Sequence, residues 1–245
     1  KDLFSSEWVG YRTRKMKALV MDEICAGYPD IDRETAEGMA VQILDLAGVK
    51  PDDDKKEVLF FVSNLQVGSL ARLAVEYHND TSAKKEKEKK FKKSAEDALK
   101  DNPSVDILLF GRMAASNPSL NYDAAAQVAH SISTHTISNE YDYFTAVDDC
   151  IPEDSTGAGH IGTVEFNSST LYRYATVNVR ELAQALQPDE LKLALKGFAE
   201  AFVRSMPTGK QNTFANRTLP DMIYVTLRSD QPVNFSGAFE RPVPA

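Results

Sequence analysis

The side chains that could carry catalysis are few, and their spacing argues against it. Four histidines occur: His78, His130, His135 and His160. His130 and His135 lie five apart at the end of an expected helix. That turns them about 140° from each other, so they do not share a face as metal ligands do. Asp148 and Asp149 precede His160, yet neighbouring strand residues point to opposite faces, so only one carboxylate can join that imidazole. The sequence contains neither His-Glu-x-x-His nor Gly-x-Ser-x-Gly. No catalytic residue, metal or cofactor is therefore expected.

Binding chemistry is better represented. Gly209-Lys210 sits in a loop after a helix. However, Arg204 stands where a phosphate loop has its first glycine, and Gln211 where it has Ser or Thr. The loop instead gathers donors in Lys210, Gln211, Asn212, Thr213, Asn216, Arg217 and Thr218. Such a set positions a nucleic-acid backbone by charge and hydrogen bonds without reading bases; a polar loop capped by its own side chains has the same composition. Arg112-Met113 also has two readings. One is plain packing after a buried strand; the other is a phosphate-binding cation beside an unbranched wedge of the kind that lodges between unstacked bases. Arg12, Arg14, Lys15 and Lys17 form a small basic run that is equally ambiguous.

The 245 residues are 42% hydrophobic and 26% charged. That is enough chain for one large domain or two smaller ones, with no need of disulfides or a structural metal. Cys25 and Cys150 are the only cysteines, which argues against a stapled secreted scaffold and points to the reducing cytoplasm. The longest apolar runs, at 18–21 and 107–110, are too short to span a bilayer, and the front has no signal-peptide pattern. No membrane partner is expected. Net charge is -8 and the pI is near 5.1, which speaks against nucleic acid, but the charge is uneven. Lys and Arg number 19 against 28 Asp and Glu over 1–159, then 9 against 8 over 160–245. A local basic track would be enough to hold a polyanion.

The positioning elements follow from periodicity. Residues 17–47 predict two helices, the second entered at Asp32 and closed at Gly48. Val58–Val62 predicts a buried strand and 64–78 a helix. The block 84–93 holds seven lysines in ten positions. It is either a nucleic-acid patch or the solvated face of a helix, and the stripe Phe91, Ala95, Leu99 favours the helix. Val105–Phe110 predicts a strand and about 122–133 a helix. Residues from Tyr141 to Val147 and from Ile161 to Val179 predict a long ribbon with a polar tip. A helix over about 188–205, with Leu191, Leu193, Leu195, Phe198, Ala201 and Phe202 buried, precedes a strand at Met222–Leu227. Two helices against an antiparallel sheet is a ferredoxin-like plan, whose first strand would have to precede Lys1.

Five stretches carry a closer likeness. They are Val105-Asp-Ile-Leu-Leu-Phe-Gly-Arg-Met113, Ala125-Ala-Gln-Val-Ala-His-Ser-Ile-Ser-Thr-His135, Asp142-Tyr-Phe-Thr-Ala-Val-Asp-Asp149, the segment 157–175 and Pro207-Thr-Gly-Lys-Gln-Asn-Thr213. In this order they closely resemble the hexameric backbone subunit of Cascade, the type I-E CRISPR surveillance complex, over nearly all of residues 1–245. The resemblance implies an α+β fold. A modified RRM, ferredoxin-like palm would comprise 1–16 and 119–245, with an inserted mainly helical fingers domain at 17–118 and a protruding β-hairpin thumb at 142–166. It implies a chain shorter than the family at both ends. Copies would polymerise along CRISPR guide RNA and kink it at regular intervals, presenting the spacer to target DNA in antiviral defence. The implied partners are that RNA, target DNA, neighbouring copies and other Cascade subunits. By the same resemblance Met113 is a wedge at a displaced base, where Phe144, Thr145 and Ile161 also pack. Lys210 and Arg241 belong to the guide-backbone track, with Arg112, Gln211, Asn212 and Arg217 as further RNA-binding candidates, and His160 belongs to the thumb's geometry. The alternative is a CRISPR RNA-processing endonuclease of related fold, drawing on His130, His135, Tyr141 or Tyr143.

Overall fold

Helices form where a 3.6-residue apolar period meets a cap. The computed structural model describes residues 4, 5, 8–49, 59–146, 150, 160–242 and 244. Helix α1 (Met16–Gly27) buries Met16, Val20, Met21 and Ile24. Helix α2 (Arg33–Leu46) starts at Asp32, whose carboxylate accepts from the Thr35 amide at 2.9 Å. It gives way at Gly48, whose φ of 71° suits a residue without Cβ. Strand β1 (Gly10–Thr13) pairs antiparallel with β2 (Phe60–Ser63), Gly10 opposite Ser63. Helix α3 (Asn64–Asn79) opens on a reciprocal capping box between Ser63 and Gln66.

Helix α4 (Lys84–Lys100) buries only Phe91, Ala95 and Leu99, so the lysine block is the outer face of an amphipathic helix. The Phe91 ring meets Tyr77 edge-on at 5.3 Å. Together α1 to α4 and β2 enclose one apolar core.

Two sequence expectations fail next. Residues Val105–Phe110 are not a strand but a short helix, α5. A six-residue apolar run that is buried on most sides hides its own period, so strand and helix look alike in sequence. Residues 122–133 are not a helix. They form β3 (Ala126–Val128) and β4 (Ile132–Ser133). Strand β3 pairs with β8 (Ala175–Val177), and β4 pairs antiparallel with β7 (Leu171–Tyr172), Ile132 opposite Tyr172. Partners some 40 residues away overrode the local period.

The remaining elements are the hairpin β5 (Glu140–Ala146) and β6 (His160–Phe166), and helices α6 (Val179–Ala185), α7 (Pro188–Arg204) and α8 (Gln211–Phe214). The architecture is therefore α+β, helices with small antiparallel sheets. Helix α7 buries Ala194 and Gly197, with Leu191, Leu195 and Phe198 partly covered in a second cluster with α5 and α6. Leu193 and Ala201, expected on that side, face solvent.

The chain divides into two compact units. One comprises 1–127 and 177–223, the other 128–176 and 224–245. The first holds both apolar clusters. In the second, none of the described residues is buried. Its order comes from strand pairing and from Tyr172, whose hydroxyl donates to Asn234 Oδ1 and accepts from the Phe235 amide, each at 3.0 Å.

The segment Met222–Leu227, expected as a strand, forms no strand pairing among the described residues. Apolar side chains stand on both of its alternating sets, the pattern of a central strand, and Leu227 is 90% exposed. Strand propensity is realised only against a neighbouring strand, and none lies beside it among the described residues. No helix of the described residues is long and apolar enough to cross a membrane.

Candidate nucleic-acid interface

Arg112 follows α5 through Gly111, whose φ of 74° and close approach to the Tyr122 carbonyl leave no room for a Cβ. The turn sends the Arg112 side chain inward, where it is only 4% exposed. Its guanidinium donates to the carbonyls of Leu120 at 2.9 Å, Phe61 at 3.2 Å and Leu99 at 2.7 Å, and to Gln66 Oε1 at 3.2 Å. The rings of Phe60 and Tyr122 flank it at 5.1 and 5.2 Å. Burial pushes its pKa down to about 10, so the group is still charged at neutral pH. Of its two readings, a phosphate-facing cation or plain packing, the geometry is that of packing: Arg112 ties β2, α3 and α4 to the chain after α5.

Met113 does the opposite. The chain direction that turns Arg112 in turns its neighbour out, and Met113 is 80% exposed. An unbranched apolar side chain held out on a rigid turn suits a wedge.

The donor loop is also exposed. Lys210 adopts a left-handed backbone (φ 58°) that caps the four-residue α8, and its carbonyl accepts from the amides of Thr213 and Phe214. Thr208, Lys210, Gln211, Asn212 and Thr213 line an open depression of about 470 Å³. Gln211 is half-buried, while Lys210, Asn212 and Arg217 face solvent. In the second unit Arg241 is exposed too. Among the described residues none of these three cations forms an ion pair.

On α4, Lys87 donates to the Asp80 carbonyl at 2.6 Å and covers the Tyr77 ring, and Lys90 pairs with Asp80 at 3.4 Å. Lys85, Lys89, Lys92 and Lys93 point to solvent.

The β5–β6 hairpin sorts its candidates by register. Phe144 lies opposite Gly162, and Thr145 opposite Ile161. Neighbours along a strand point to opposite faces. One face therefore holds Asp142, Phe144, Val164, Gly162 and His160, and the other Tyr141, Tyr143, Thr145, Glu165, Thr163 and Ile161. Phe144 lies over the glycine so closely that a Cβ at position 162 would come within 2.4 Å of its ring. The Phe144 and His160 rings stand 5.6 Å apart. Phe144, Thr145 and Ile161 were expected together at one kink; within this hairpin only Thr145 and Ile161 share a face. Asp148 and Asp149 lie outside the described residues.

His130 and His135, expected at a helix end, lie beside short strands. His135 Nε2 accepts from the Thr170 amide at 3.0 Å, which leaves Nδ1 to donate to the Thr136 carbonyl at 2.7 Å. That imidazole is engaged on both sides by backbone groups. Among the described residues no three His, Cys, Asp or Glu side chains gather as metal ligands would.

Comparison with known proteins gives a family and a structural likeness. The family model described as "CT1975-like protein" matches residues 1–245. One similar solved chain, from a "CRISPR RNA-guided surveillance complex, pre-nicking", superimposes with a TM-score of 0.67 at 28% identity, covering 96% of this chain and 73% of that one. A second, from a "CRISPR RNA-guided surveillance complex", gives a TM-score of 0.52 at 41% identity, covering 57% of this chain and 54% of the other. No curated protein matches the chain.

Proposed function

The chain belongs to the CT1975-like protein family, and on that premise we propose that it is a non-catalytic subunit of a CRISPR RNA-guided surveillance complex. It binds the guide RNA, takes part in defence against invading nucleic acid and contacts other subunits of the assembly. The observation that carries this reading is a likeness to a chain of such a complex that spans 96% of the residues at 28% identity.

The finer reading assigns the chain to a polymerising backbone of the type I-E kind. Helices α1 to α5 serve as fingers, the RRM-like remainder as palm and the β5–β6 hairpin as thumb. Copies add along the RNA, and target DNA pairs with the segments between kinks. Lys210, Arg217 and Arg241, with Gln211 and Asn212, hold the guide backbone, where each neutralised phosphate contributes to affinity by counterion release. Met113 wedges at a displaced base, and the hairpin residues Phe144, Thr145, His160 and Ile161 close over the strand. Sequence recognition is left to base pairing.

The test is sizing of the protein with and without a CRISPR RNA, followed by nuclease footprinting. A multimer that forms only with RNA and protects it at a regular period supports the backbone reading. A 1:1 complex that cuts the RNA once replaces it with the endonuclease.

A further inference from the structure

Helices α1 and α3 leave an open cleft of about 670 Å³ that none of the residues assigned to RNA above lines. Its walls follow from helical spacing. Leu19, Asp22 and Glu23 stand three and four apart on α1, and Leu65, Gly68, Ser69 and Arg72 do so on α3, so each set shares one face. Tyr11 of β1 joins them. The cleft is partly apolar and open to water: Leu65 is 52% exposed and Tyr11 38%.

Gly68 needs a reason. It sits inside α3, where glycine costs helix stability relative to alanine. Nothing packed against it demands a missing side chain: a Cβ there would meet only the Glu23 carboxylate, at an ordinary 3.7 Å. The bare backbone instead lets a group from outside come close to α3.

The charges leave one group over. Asp22 pairs with Arg33 at 3.0 Å, and Arg72 with Glu76 at 3.9 Å. Glu23 has neither an ion pair nor a hydrogen bond among the described residues, and its carboxylate lies beside Gly68. A nucleic acid would bring phosphates against Asp22 and Glu23, which disfavours it. A protein segment with one lysine or arginine fits. Its aliphatic stem can lie on Leu65 and Tyr11 while the charged head reaches Glu23.

We infer that the α1–α3 cleft is a docking site for a partner protein that presents one basic side chain between apolar ones. Glu23 is its counter-charge and Gly68 the point of closest approach. This adds a protein contact on a face of the helical unit and does not depend on where the guide RNA lies.

The experiment titrates the isotope-labelled chain with the acetylated, amidated peptide Ala-Leu-Arg-Leu-Ala and follows backbone amide shifts by NMR. Saturable shifts should appear at Glu23, Leu65, Gly68 and Ser69, and salt should weaken them. Glu23→Gln, an exposed change, should keep the fold and weaken binding about 2- to 5-fold, the range of one exposed charge pair. Gly68→Met should fill the cleft and abolish binding, with a melting temperature no lower than that of the wild type. The peptide Ala-Leu-Glu-Leu-Ala should give no shifts. A wild-type chain without shifts at these positions overturns the inference, as does equal binding of the acidic peptide or full binding to Gly68→Met. The same shifts on concentrating the chain alone give the cleft to a second copy, and weaker RNA binding by Glu23→Gln or Gly68→Met gives it to RNA; either result overturns the inference. A chain that binds the basic peptide but no RNA keeps the docking site and removes the guide-binding reading.

Discussion

Replacing Arg112 with alanine tests whether this cation faces protein or nucleic acid. The side chain makes four hydrogen bonds to buried acceptors, and bonds from a charged donor contribute about 1.5–3 kcal/mol each. The gross loss is thus about 6–12 kcal/mol. Removing the cation also relieves its desolvation, which returns several kcal/mol, and a net destabilisation of about 3–5 kcal/mol remains. At roughly 2–4 °C per kcal/mol for a unit of this size, the melting temperature falls by about 6–20 °C. The assay is urea and thermal unfolding followed through Trp8, the only tryptophan of the chain, which packs against the second cluster of the same unit. Arg112→Lys should recover little, because three rotating donors on a flexible stem cannot replace a planar fork aimed at four oxygens. At a temperature where the alanine variant is folded, RNA affinity and its salt dependence should match the wild type. An unchanged melting temperature, joined to weaker RNA binding and a salt slope smaller by about one contact, would refute the inward-facing assignment.

Three other perturbations discriminate between structure and binding. Met113→Ala should leave stability within about 0.5 kcal/mol, as expected for an exposed position. RNA affinity stays near normal while chemical probing of the guide shows a relaxed base; equal loss of affinity from Met113→Ala and Lys210→Ala would end that division of labour. Phe91→Ala removes a core ring from α4 and should cost about 3–5 kcal/mol, read by urea unfolding, whereas Lys93→Ala on the outer face should cost almost nothing. Gly162→Ala should drive the Phe144 ring off its seat, an overpacking cost of about 1–3 kcal/mol, seen as faster amide exchange across β5 and β6; unchanged exchange would mean that the ring moves aside freely.

Much of the helical unit was legible because its signals are local. Asp32 with Thr35 three residues on, Gly48 after the last apolar position, and the Phe91, Ala95, Leu99 stripe each lie within a few turns of chain. The hairpin was legible for the same reason, although its sides were not, and its descending strand, expected to run to Val179, ends at Phe166, where the chain goes on to β7 and β8. Grouping Phe144 with Thr145 ignored the alternation by which neighbouring strand residues point to opposite faces. What failed depended on distant chain. Residues 126–133 look helical until 171–177 arrive to pair with them. Nothing in Gly111-Arg112-Met113 reveals that the carbonyls of Phe61, Leu99 and Leu120 converge at one point, so an arginine beside an exposed methionine read as part of the same surface. For α5 a signal did exist: Ser104 and Asp106 at the head of the run suit a helix start, and they were outweighed by its apolar content.

The segment Met222–Leu227, whose Tyr224 ring meets Phe235 at 6.2 Å, leaves a strand edge open among the described residues, so its pairing with other chains becomes a question of concentration. Its amides and carbonyls form no ladder among the described residues, and its side chains leave Met222 and Val225 about four-fifths in water. Any extended chain that lies alongside gains both, so pairing enters the equilibrium by mass action. Dilute samples should hold the segment open to proteases, and concentrated ones should close it by association. Wherever these residues are sheltered in an assembly, the free energy that shelters them is counted as binding rather than folding. The apparent stability of this region then belongs to the complex and not to the chain alone.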